Sequence, residues 1–232
     1  MSSNVVVAVD GTSGSGKSST CRGVASRVGL RYLDTGAQFR AMTWFMLEQG
    51  VDVNDAEAVA ARCAEPSIES GTDPLAPTIA VDGVDVSGPI RSAEVTAAVS
   101  PVSTVPQVRQ RLLELQRSII GEGGIVVEGR DIGSVVWPQA EVKVYLSADA
   151  AARARRRIAE HAHLGDVNTA EAGLLERDRI DSGRATAPLT MADGAVHIDT
   201  THRTLDEVID LVAGLVADAD AVAEDHVAED RA

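Results

Sequence analysis

Near its start the sequence reads Val5-Val6-Val7-Ala8-Val9-Asp10-Gly11-Thr12-Ser13-Gly14-Ser15-Gly16-Lys17-Ser18. A short β-branched run, Val5–Val9, predicts a strand buried on both faces and therefore a parallel sheet. The next segment, Gly11–Ser18, matches G-x-x-x-x-G-K-[ST] in full and precedes a helix predicted over Lys17–Val28. This strand-loop-helix context indicates a phosphate-binding loop, called the P-loop below, rather than a Gly/Ser-rich turn that happens to precede a lysine.

The backbone of such a loop determines what it binds. Glycines let successive N–H groups point at phosphate oxygens, and the helix N-terminus adds partial positive charge. We expect Lys17 to reach the β- and γ-phosphates of a nucleotide and the Ser18 hydroxyl to bind Mg²⁺. The sequence has no Asn-Lys-x-Asp run of the kind that reads guanine, which favours ATP over GTP. The P-loop residues predicted to bind ATP are Gly11, Thr12, Ser13, Gly14, Ser15, Gly16, Lys17, Ser18 and Ser19.

Strand-like and helix-like segments alternate along the rest of the chain. Further strands are predicted at Leu30–Leu33, Ile125–Val127, Val142–Leu146 and Ala195–Asp199. Helices are predicted at Ala37–Gln49 and Pro106–Ile120, and another begins at Thr204, which forms a capping-box pattern with Glu207. This order predicts an α/β fold of the three-layer P-loop type, a central parallel sheet flanked by helices, in one domain over 1–216.

Two insertions and a tail interrupt this alternation. Prolines exclude a long helix from a lobe at about 66–100, where Ile79–Val86 predicts two strands around an Asp-Gly turn. A lid is predicted at about 150–184 from two Arg-rich helices, Ala148–His163 and Thr169–Asp181. The acidic segment 217–232 is expected to be disordered.

Bulk composition limits the function classes. A length of 232 residues with 44% hydrophobic content predicts one main core. The net charge of -14 argues against binding nucleic acid or an anionic membrane. The only cysteines, Cys21 and Cys63, lie far apart and suit neither a disulfide nor a metal site. Because the sequence has no long apolar stretch and no apolar heptads, we expect a cytoplasmic monomer.

Residues that hold anions are concentrated in three further segments. They lie at 34–40, 128–133 and 176–184, and the first two directly follow predicted strands. In an open parallel sheet, ligands bind at the carboxyl ends of the strands. We therefore expect these segments and the P-loop to line one crevice.

The sequence resembles the bacterial cytidylate kinases over nearly its whole length, through about Val216. The shared motifs occur in the family's order and include the P-loop from Asp10 onward and the lobe after Pro66. The others are Asp34-Thr35-Gly36-Ala37 with Arg40, Asp85-Val86-Ser87-Gly88 to Ile90-Arg91, Gly129-Arg130-Asp131, and Glu176-Arg177-Asp178 through Arg184 to Pro188-Leu189. Three positions depart from the common pattern: Thr35 replaces Ser, Phe39 replaces Tyr and Glu128 replaces Asp.

The resemblance implies the residues that bind the monophosphate: Thr35, Arg40, Ser100, Arg109, Arg130, Asp131, Arg177, Asp181 and Arg184. Two arginines, Arg40 and Arg130, would grip the acceptor phosphate with paired donors that a lysine lacks. The cytosine edge would be read by Ser100, Arg109 and Asp131, and the sugar hydroxyls would be held by Asp181. The implied catalytic residues are Lys17, Arg130, Arg177 and Arg184.

Two further assignments concern the metal and the lid. We hypothesise that Glu128, through water, or Asp10 behind the P-loop, orders the hydrated Mg²⁺ held by Ser18. A single arginine on a helix is usually a solvated surface residue. As a run in the lid, however, the arginines at 153–157 are expected to approach ATP, with Arg153 and Arg157 assigned to it.

The expected activity is Mg²⁺-assisted in-line transfer of the γ-phosphate from ATP to CMP or dCMP. A kinase for UMP, dTMP or a small metabolite such as shikimate would share the P-loop, although the lobe and the Gly129-Arg130-Asp131 loop argue against it. The alternative from another class is a noncatalytic ATP-binding switch.

Overall fold

The computed structural model describes residues 4–160 and 166–229. The strands are β1 Val6–Gly11, β2 Arg31–Asp34, β3 Ile68–Ser70, β4 Ile79–Val81, β5 Val84–Asp85, β6 Ile125–Glu128, β7 Val142–Ser147 and β8 Val196–Asp199. The α-helices are α1 Lys17–Val28, α2 Thr35–Glu48, α3 Ala56–Arg62, α4 Ala93–Thr104, α5 Pro106–Ile120, α6 Ala150–Glu160, α7 Val167–Gly183 and α8 Leu205–Glu229.

A parallel sheet with strand order β2-β6-β1-β7-β8 forms the centre of the fold. Strand β1 lies in the middle, where Val7 pairs with Val126 on one side and Val142 on the other. Because neighbouring strands run in the same direction, the carboxyl ends of β1, β2 and β6 meet at one edge. The P-loop and the segments at 34–40 and 128–133 begin at that edge.

The two faces of the sheet are covered by different helices. One face, which includes Val7 and Val9, packs against α1 and α8. The opposite face, which includes Val6 and Ala8, packs against α5 and a one-turn π-helix at Ile132–Val136. Successive strand residues point to opposite faces, so β1 contributes to both layers and is apolar almost throughout. The predicted three-layer α/β fold is confirmed.

The inserted segment contains a small antiparallel sheet, β3-β4-β5. Its turn at Asp82-Gly83 has positive φ at both residues, 50° and 78°, which explains the Asp-Gly pair of the predicted hairpin. Helices α3 and α4 had not been predicted. The N-terminus of α4 is capped by Ser92, whose Oγ accepts from the Val95 amide at 3.2 Å, and α4 continues through Pro101 to Thr104.

The Arg-rich pair of helices is present with shifted bounds. Helix α6 is described from Ala150 to Glu160, and residues 161–163 of the predicted first helix lie outside the described part of the chain. Helix α7 extends beyond the prediction at both ends, from Val167 to Gly183. Its N-cap is Asp166, which accepts from the amides of Asn168 and Thr169.

The last helix extends further than expected. The capping box holds, with Thr204 and Glu207 each accepting from the other's backbone N–H at 3.3 and 2.7 Å. Helix α8 does not end near Val216 but continues to Glu229, where a disordered tail had been expected. The acidic segment is rich in alanine, a strong helix former, and it extends a helix already anchored by buried Val212 and Val216. Residues 230–232 lie outside the described chain.

No helix in the described ranges is both long enough and apolar enough to cross a bilayer.

Candidate active site

The P-loop leaves β1 through a backbone that only glycine tolerates. At Gly11, φ is 147°, and an added Cβ would lie 2.0 Å from the carbonyl oxygen of Leu146 in β7. At the other end, Gly16 caps α1 with φ of 89° and supplies no side chain to bond the first amides of the helix. Those amides are therefore available to an anion at the mouth of the cleft.

Lys17 lies beneath this loop and is 6% exposed. Its Nζ donates to the carbonyl oxygens of Gly11 and Thr12 at 2.9 and 2.7 Å. Burial lowers the pKa of Lys17, and the nearby Arg130 charge lowers it further. Negative phosphates beside the ammonium group would oppose both effects and favour its charged form.

Glu128, at the end of β6, faces the first turn of α1. Its Oε2 accepts from Ser18 Oγ at 3.0 Å, and its Oε1 accepts from the Tyr32 hydroxyl. Burial raises the pKa of this carboxyl, and Asp34 raises it further. A hydroxyl and a carboxylate are oxygen donors of the type that Mg²⁺ prefers, so Ser18 and Glu128 fit the predicted metal position. The role of Tyr32 had not been predicted, because a tyrosine inside a buried strand is usually a packing residue.

The carboxylate of Asp10, the alternative candidate for ordering Mg²⁺, contacts the start of the π-helix after β6, and its role toward the metal stays a prediction. Both of its carboxylate oxygens accept backbone N–H groups, from Ile132 and Gly133, each at 2.8 Å. Burial raises the pKa of Asp10 to about 6 although these two bonds oppose the shift. The last charged residue before the P-loop therefore holds the loop that carries Arg130 and Asp131.

Arg130 and α7 meet over the P-loop through an ion pair. Arg130 Nε donates to Asp181 Oδ2 at 2.8 Å, and Arg130 Nη1 donates to the Gly11 carbonyl at 3.1 Å. Arg184 Nη1 lies 3.6 Å from the other Asp181 oxygen. Although burial opposes it, the charges of Arg130 and Arg184 lower the pKa of Asp181, which keeps this carboxyl ionised.

A second buried ion pair joins α5 to the Gly129-Arg130-Asp131 loop, called the acceptor loop below after the role that the resemblance implies. Arg109 Nη2 lies 2.5 Å from Asp131 Oδ2, and both side chains are less than a tenth exposed. Arg109 also donates to the Ser103 carbonyl at 3.2 Å, and its guanidinium lies 5.2 Å from the centre of the Phe39 ring. These contacts fix the plane of the guanidinium beside the carboxylate.

Several guanidinium groups of the cleft are held close together with incomplete hydrogen bonding. Burial lowers the pKa of Arg40 to about 10, with Arg157 next in effect, and lowers that of Arg177 to about 9, with Arg130 next. The Nε atom of Arg177 and the Nη2 atom of Arg184 are buried without a hydrogen-bond partner among the described residues. Such a group of like charges favours an anionic ligand that would neutralise it and complete its hydrogen bonds.

Most of the predicted site residues line one cleft. They are Ser13, Gly14, Gly16, Lys17, Ser18, Ser19, Thr35, Arg40, Ser100, Arg109, Glu128, Arg130, Asp131, Arg157, Arg177, Asp181 and Arg184. Gly11, Thr12 and Ser15 are not among the lining residues and belong to the framework of the loop. The cleft also includes residues to which no role had been assigned, notably Asp34, Arg91, Thr96, Ser103 and Arg156. Asp34 and Arg91 belong to two separate motifs of the sequence, and neither motif predicts that they pair across 57 positions, at 3.9 Å.

Arg153, which was predicted to bind ATP from α6, does not line the cleft either. Its side chain is 5% exposed and pairs with Asp178 at 2.5 Å. Its Nη1 also donates to the Ser13 carbonyl at 2.8 Å, so it contacts the P-loop through the main chain. On α6, Arg157 lines the cleft as predicted, and so does Arg156, which had not been assigned to ATP.

A glycine-rich phosphate loop on a parallel sheet, facing clustered guanidinium groups across one cleft, defines a P-loop phosphotransferase. A family model described as cytidylate kinase matches residues 7–218. The chain belongs to the cytidylate kinase family.

Curated relatives match over nearly their whole length. A cytidylate kinase from Streptomyces avermitilis is 56% identical over 214 residues, covering 91% of this chain and 92% of the relative. One from Mycolicibacterium paratuberculosis is 48% identical and covers 96% and 100%. Among solved structures, an uncharacterized protein from Eubacterium ventriosum matches with a TM-score of 0.52 at 11% identity, covering 93% of this chain and 99% of that one. This last likeness concerns the fold alone.

Proposed function

We propose that this chain transfers the γ-phosphate of ATP to CMP or dCMP, giving ADP and CDP or dCDP. One observation carries the proposal: the P-loop and a buried Arg109–Asp131 pair, which suits the cytosine edge, line the same cleft. Membership of the cytidylate kinase family supports the same acceptor.

The donor would be held by the P-loop. The amides at the start of α1 would bond the β-phosphate, and Lys17 would exchange its contacts with the Gly11 and Thr12 carbonyls for phosphate oxygens. Arg157, which lines the cleft from α6, would approach the triphosphate from the lid. Ser18 and Glu128 would hold Mg²⁺, the latter through water; when bound, this ion neutralises charge on the donor phosphates.

The acceptor phosphate would lie among the guanidinium groups. Arg40 and Arg130 would grip it, while Arg177 and Arg184 would bridge it to the incoming phosphoryl group. The buried, unpartnered Nε of Arg177 and Nη2 of Arg184 support this role, because a phosphate would complete their hydrogen bonding. Thr35 also lines this part of the cleft, with its hydroxyl on the Glu128 carbonyl at 2.7 Å.

The base would be recognised through Ser100, Arg109 and Asp131. Arg109 uses Oδ2 of Asp131, so the cytosine 4-amino group would donate to the other oxygen of that carboxylate. Uracil presents a carbonyl oxygen at the same place and would leave the carboxylate without a donor. That mismatch costs about 1–3 kcal/mol in a dry site. Asp181 would hold the sugar hydroxyls.

Transfer requires alignment and charge neutralisation more than proton chemistry. The acceptor is already an anionic phosphate oxygen, so no general base is needed. Two anions must come within bonding distance, and the positive charges of Lys17, Arg130 and Arg177 would offset their repulsion. Closure of α6 and α7 would exclude water, which would otherwise accept the phosphoryl group.

A coupled assay with ATP and each monophosphate in turn tests this proposal. We expect turnover with CMP and dCMP at a kcat/KM at least about 10-fold above that with UMP or dTMP. Faster turnover with UMP or dTMP would instead support the alternative monophosphate kinases. Absence of turnover with every acceptor, together with ATP binding, would support the noncatalytic switch.

The expectation of a cytoplasmic monomer stays a prediction. Analytical ultracentrifugation of the full chain at micromolar concentration is expected to give one species near the 24.2 kDa of the sequence. A species of twice that mass would contradict it.

A further inference from the structure

The lid helices engage both backbone polar groups of Ser13, a P-loop residue. The Ser13 amide donates to Asp178 Oδ1 of α7 at 2.9 Å. The Ser13 carbonyl accepts from Arg153 Nη1 of α6 at 2.8 Å. Arg153 and Asp178 also pair with each other at 2.5 Å, so α6, α7 and the P-loop meet in one closed cluster. We call this cluster the Ser13 clamp.

Close packing supports the clamp. An added Cβ at Gly14 would lie 3.3 Å from the Arg153 Cβ and 3.6 Å from a Leu174 methyl carbon. Leu174 is one turn before Asp178 on α7 and is only 1% exposed. The bonds of the clamp are therefore shielded from water, where charge-assisted hydrogen bonds are strongest. By contrast, the Arg179–Glu176 ion pair of the same helix is exposed and contributes little.

The position of the clamp on α7 relates it to the reaction. Asp178 follows Arg177 directly and precedes Asp181 by three residues, and both neighbours line the cleft. A helix is rigid over such a distance, so the contact that fixes Asp178 against the P-loop also fixes where Arg177 and Asp181 point. The mechanism uses Arg177, Asp181 and Arg184, but it assigns no role to Asp178.

We propose that Asp178 and Arg153 are positioning residues that hold α7 in a fixed position against the P-loop. The α7 side chains then reach the phosphates only while the contacts of the Ser13 clamp are formed. The inference rests on the proposed function for its chemistry, whereas the clamp itself is a contact that can be measured without an acceptor. Loss of the clamp would leave the P-loop able to hold ATP. The donor phosphate would then be less well aligned with the acceptor and less well shielded from water.

Two substitutions at the carboxylate test this role. Asp178→Ala removes both bonds, and we expect kcat with CMP to fall about 10-fold or more. The ratio of ATP hydrolysis to phosphoryl transfer should rise by about the same factor, while the KM for ATP changes by less than about twofold. Asp178→Asn keeps an oxygen for the Ser13 amide but loses the charge facing Arg153, so we expect an intermediate loss. If the alanine variant does not fold, judged by circular dichroism and urea unfolding, the asparagine variant carries the test.

A matched control and a double variant separate positioning from simple stability. Glu176→Ala removes an exposed ion pair from the same helix and is expected to leave kcat and the hydrolysis ratio unchanged. Arg153→Ala combined with Asp178→Ala should lose no more than the worse single variant, because both act through one contact. Wild-type kinetics in Asp178→Ala, or a fall in kcat with an unchanged hydrolysis ratio, would overturn the proposal.

Hydrogen exchange measures the clamp directly in the full chain without acceptor. The Ser13 amide is expected to exchange at least about 10-fold faster in Asp178→Ala than in the wild type, and Glu176→Ala should not change it. Equal exchange in both variants would show that the clamp is not made in solution. If the wild type does not phosphorylate CMP but the Ser13 amide still exchanges faster in Asp178→Ala, the proposed function is wrong and the contacts of the clamp are nevertheless confirmed.

Discussion

The two halves of the cleft that are proposed to bind the donor and the acceptor, called the donor half and the acceptor half, are built from different parts of the chain. In the donor half, backbone amides at the start of α1 and a lysine bonded to two loop carbonyls come from one continuous stretch, Gly11–Ser18. In the acceptor half, ion pairs join residues 22 and 51 positions apart, Arg109 with Asp131 and Arg130 with Asp181. The donor half is a local motif, whereas the acceptor half exists only once the chain has folded.

This difference separates general from selective recognition. Backbone amides and a lysine bind phosphate without regard to the rest of the ligand, so the donor half serves any phosphoryl transfer. Paired side chains present a fixed pattern of donors and acceptors, so the acceptor half can discriminate one base from another. Substitutions in the donor half should therefore affect all acceptors equally, and those in the acceptor half should not.

The largest effect is expected from Lys17→Ala. Removing the buried ammonium group should lower kcat by about 10³-fold with CMP, dCMP and UMP alike, because the charge stabilises the transferring phosphate and not the base. Initial rates at saturating ATP measure it. Lys143→Ala, whose Nζ contacts the Asp193 carbonyl outside the cleft, is the control and should retain activity. A loss confined to one acceptor would contradict the division between the halves.

Arg130→Lys tests the contact between the donor half and the acceptor half. Arg130 contacts Asp181 and the Gly11 carbonyl at once, and a lysine cannot reproduce this planar fork. We expect kcat/KM for CMP to fall about 10²-fold while the KM for ATP changes little. Arg155→Lys, on the exposed side of α6, is the matched control. An equal rise in both KM values would mean that Arg130 supports the whole cleft and not the acceptor in particular.

Asp131→Ala should separate the bases. Turnover of CMP is expected to fall about 10- to 100-fold, because the 4-amino group loses its acceptor, while turnover of UMP falls far less. Asp131→Asn keeps the volume beside Arg109 and should change the CMP to UMP ratio in the same direction. The ratio of the two kcat/KM values is the measurement. Equal losses for CMP and UMP would remove Asp131 from base recognition.

The features that could be predicted from the sequence are the local ones, as in the donor half. The P-loop, the Asp82-Gly83 hairpin and the Thr204–Glu207 capping box depend on residues a few positions apart, and the structure contains all three. The acceptor set came from the resemblance, and its members line the cleft. Their mutual pairing could not be predicted, because nothing local specifies which carboxylate meets which guanidinium.

Long-range contacts account for the corrections as well. From the sequence alone, Arg153 could be a solvated helix residue or a ligand-binding one. Its side chain is buried because it contacts Ser13 and Asp178, which are distant from it in the sequence. The sequence places Asp10 directly before the P-loop, but it does not predict that the carboxylate accepts hydrogen bonds from the Ile132 and Gly133 amides. The tail differs from these cases, because its acidic charge favours disorder while its alanine content and its anchored start favour the helix that extends to Glu229.

The smallest effect on activity is expected from a substitution of Asp10. This residue tests the division between the halves most directly, because it lies in β1 next to the P-loop yet binds the acceptor loop. In Asp10→Asn, one oxygen remains for the two amides of Ile132 and Gly133, and the new NH₂ group faces an N–H donor. We expect the KM for CMP to rise about fivefold through misdirection of Asp131, with the KM for ATP unchanged. A matching rise in the KM for ATP would place Asp10 with the donor half.

The stability of the same variant supplies a second measurement. Burial raises the folded-state pKa of Asp10 from 3.8 to about 6, so the folded chain binds this proton more tightly than the unfolded chain. The contribution of Asp10 to the free energy of unfolding should therefore fall as pH rises from about 4 to about 6, by up to about 3 kcal/mol, and stay level above that. Urea unfolding at pH 4.5 and 7 should show a steeper decline in the wild type than in Asp10→Asn. Parallel curves would mean that the carboxylate ionises normally, in which case its bonds to the acceptor loop offset the cost of burying its charge.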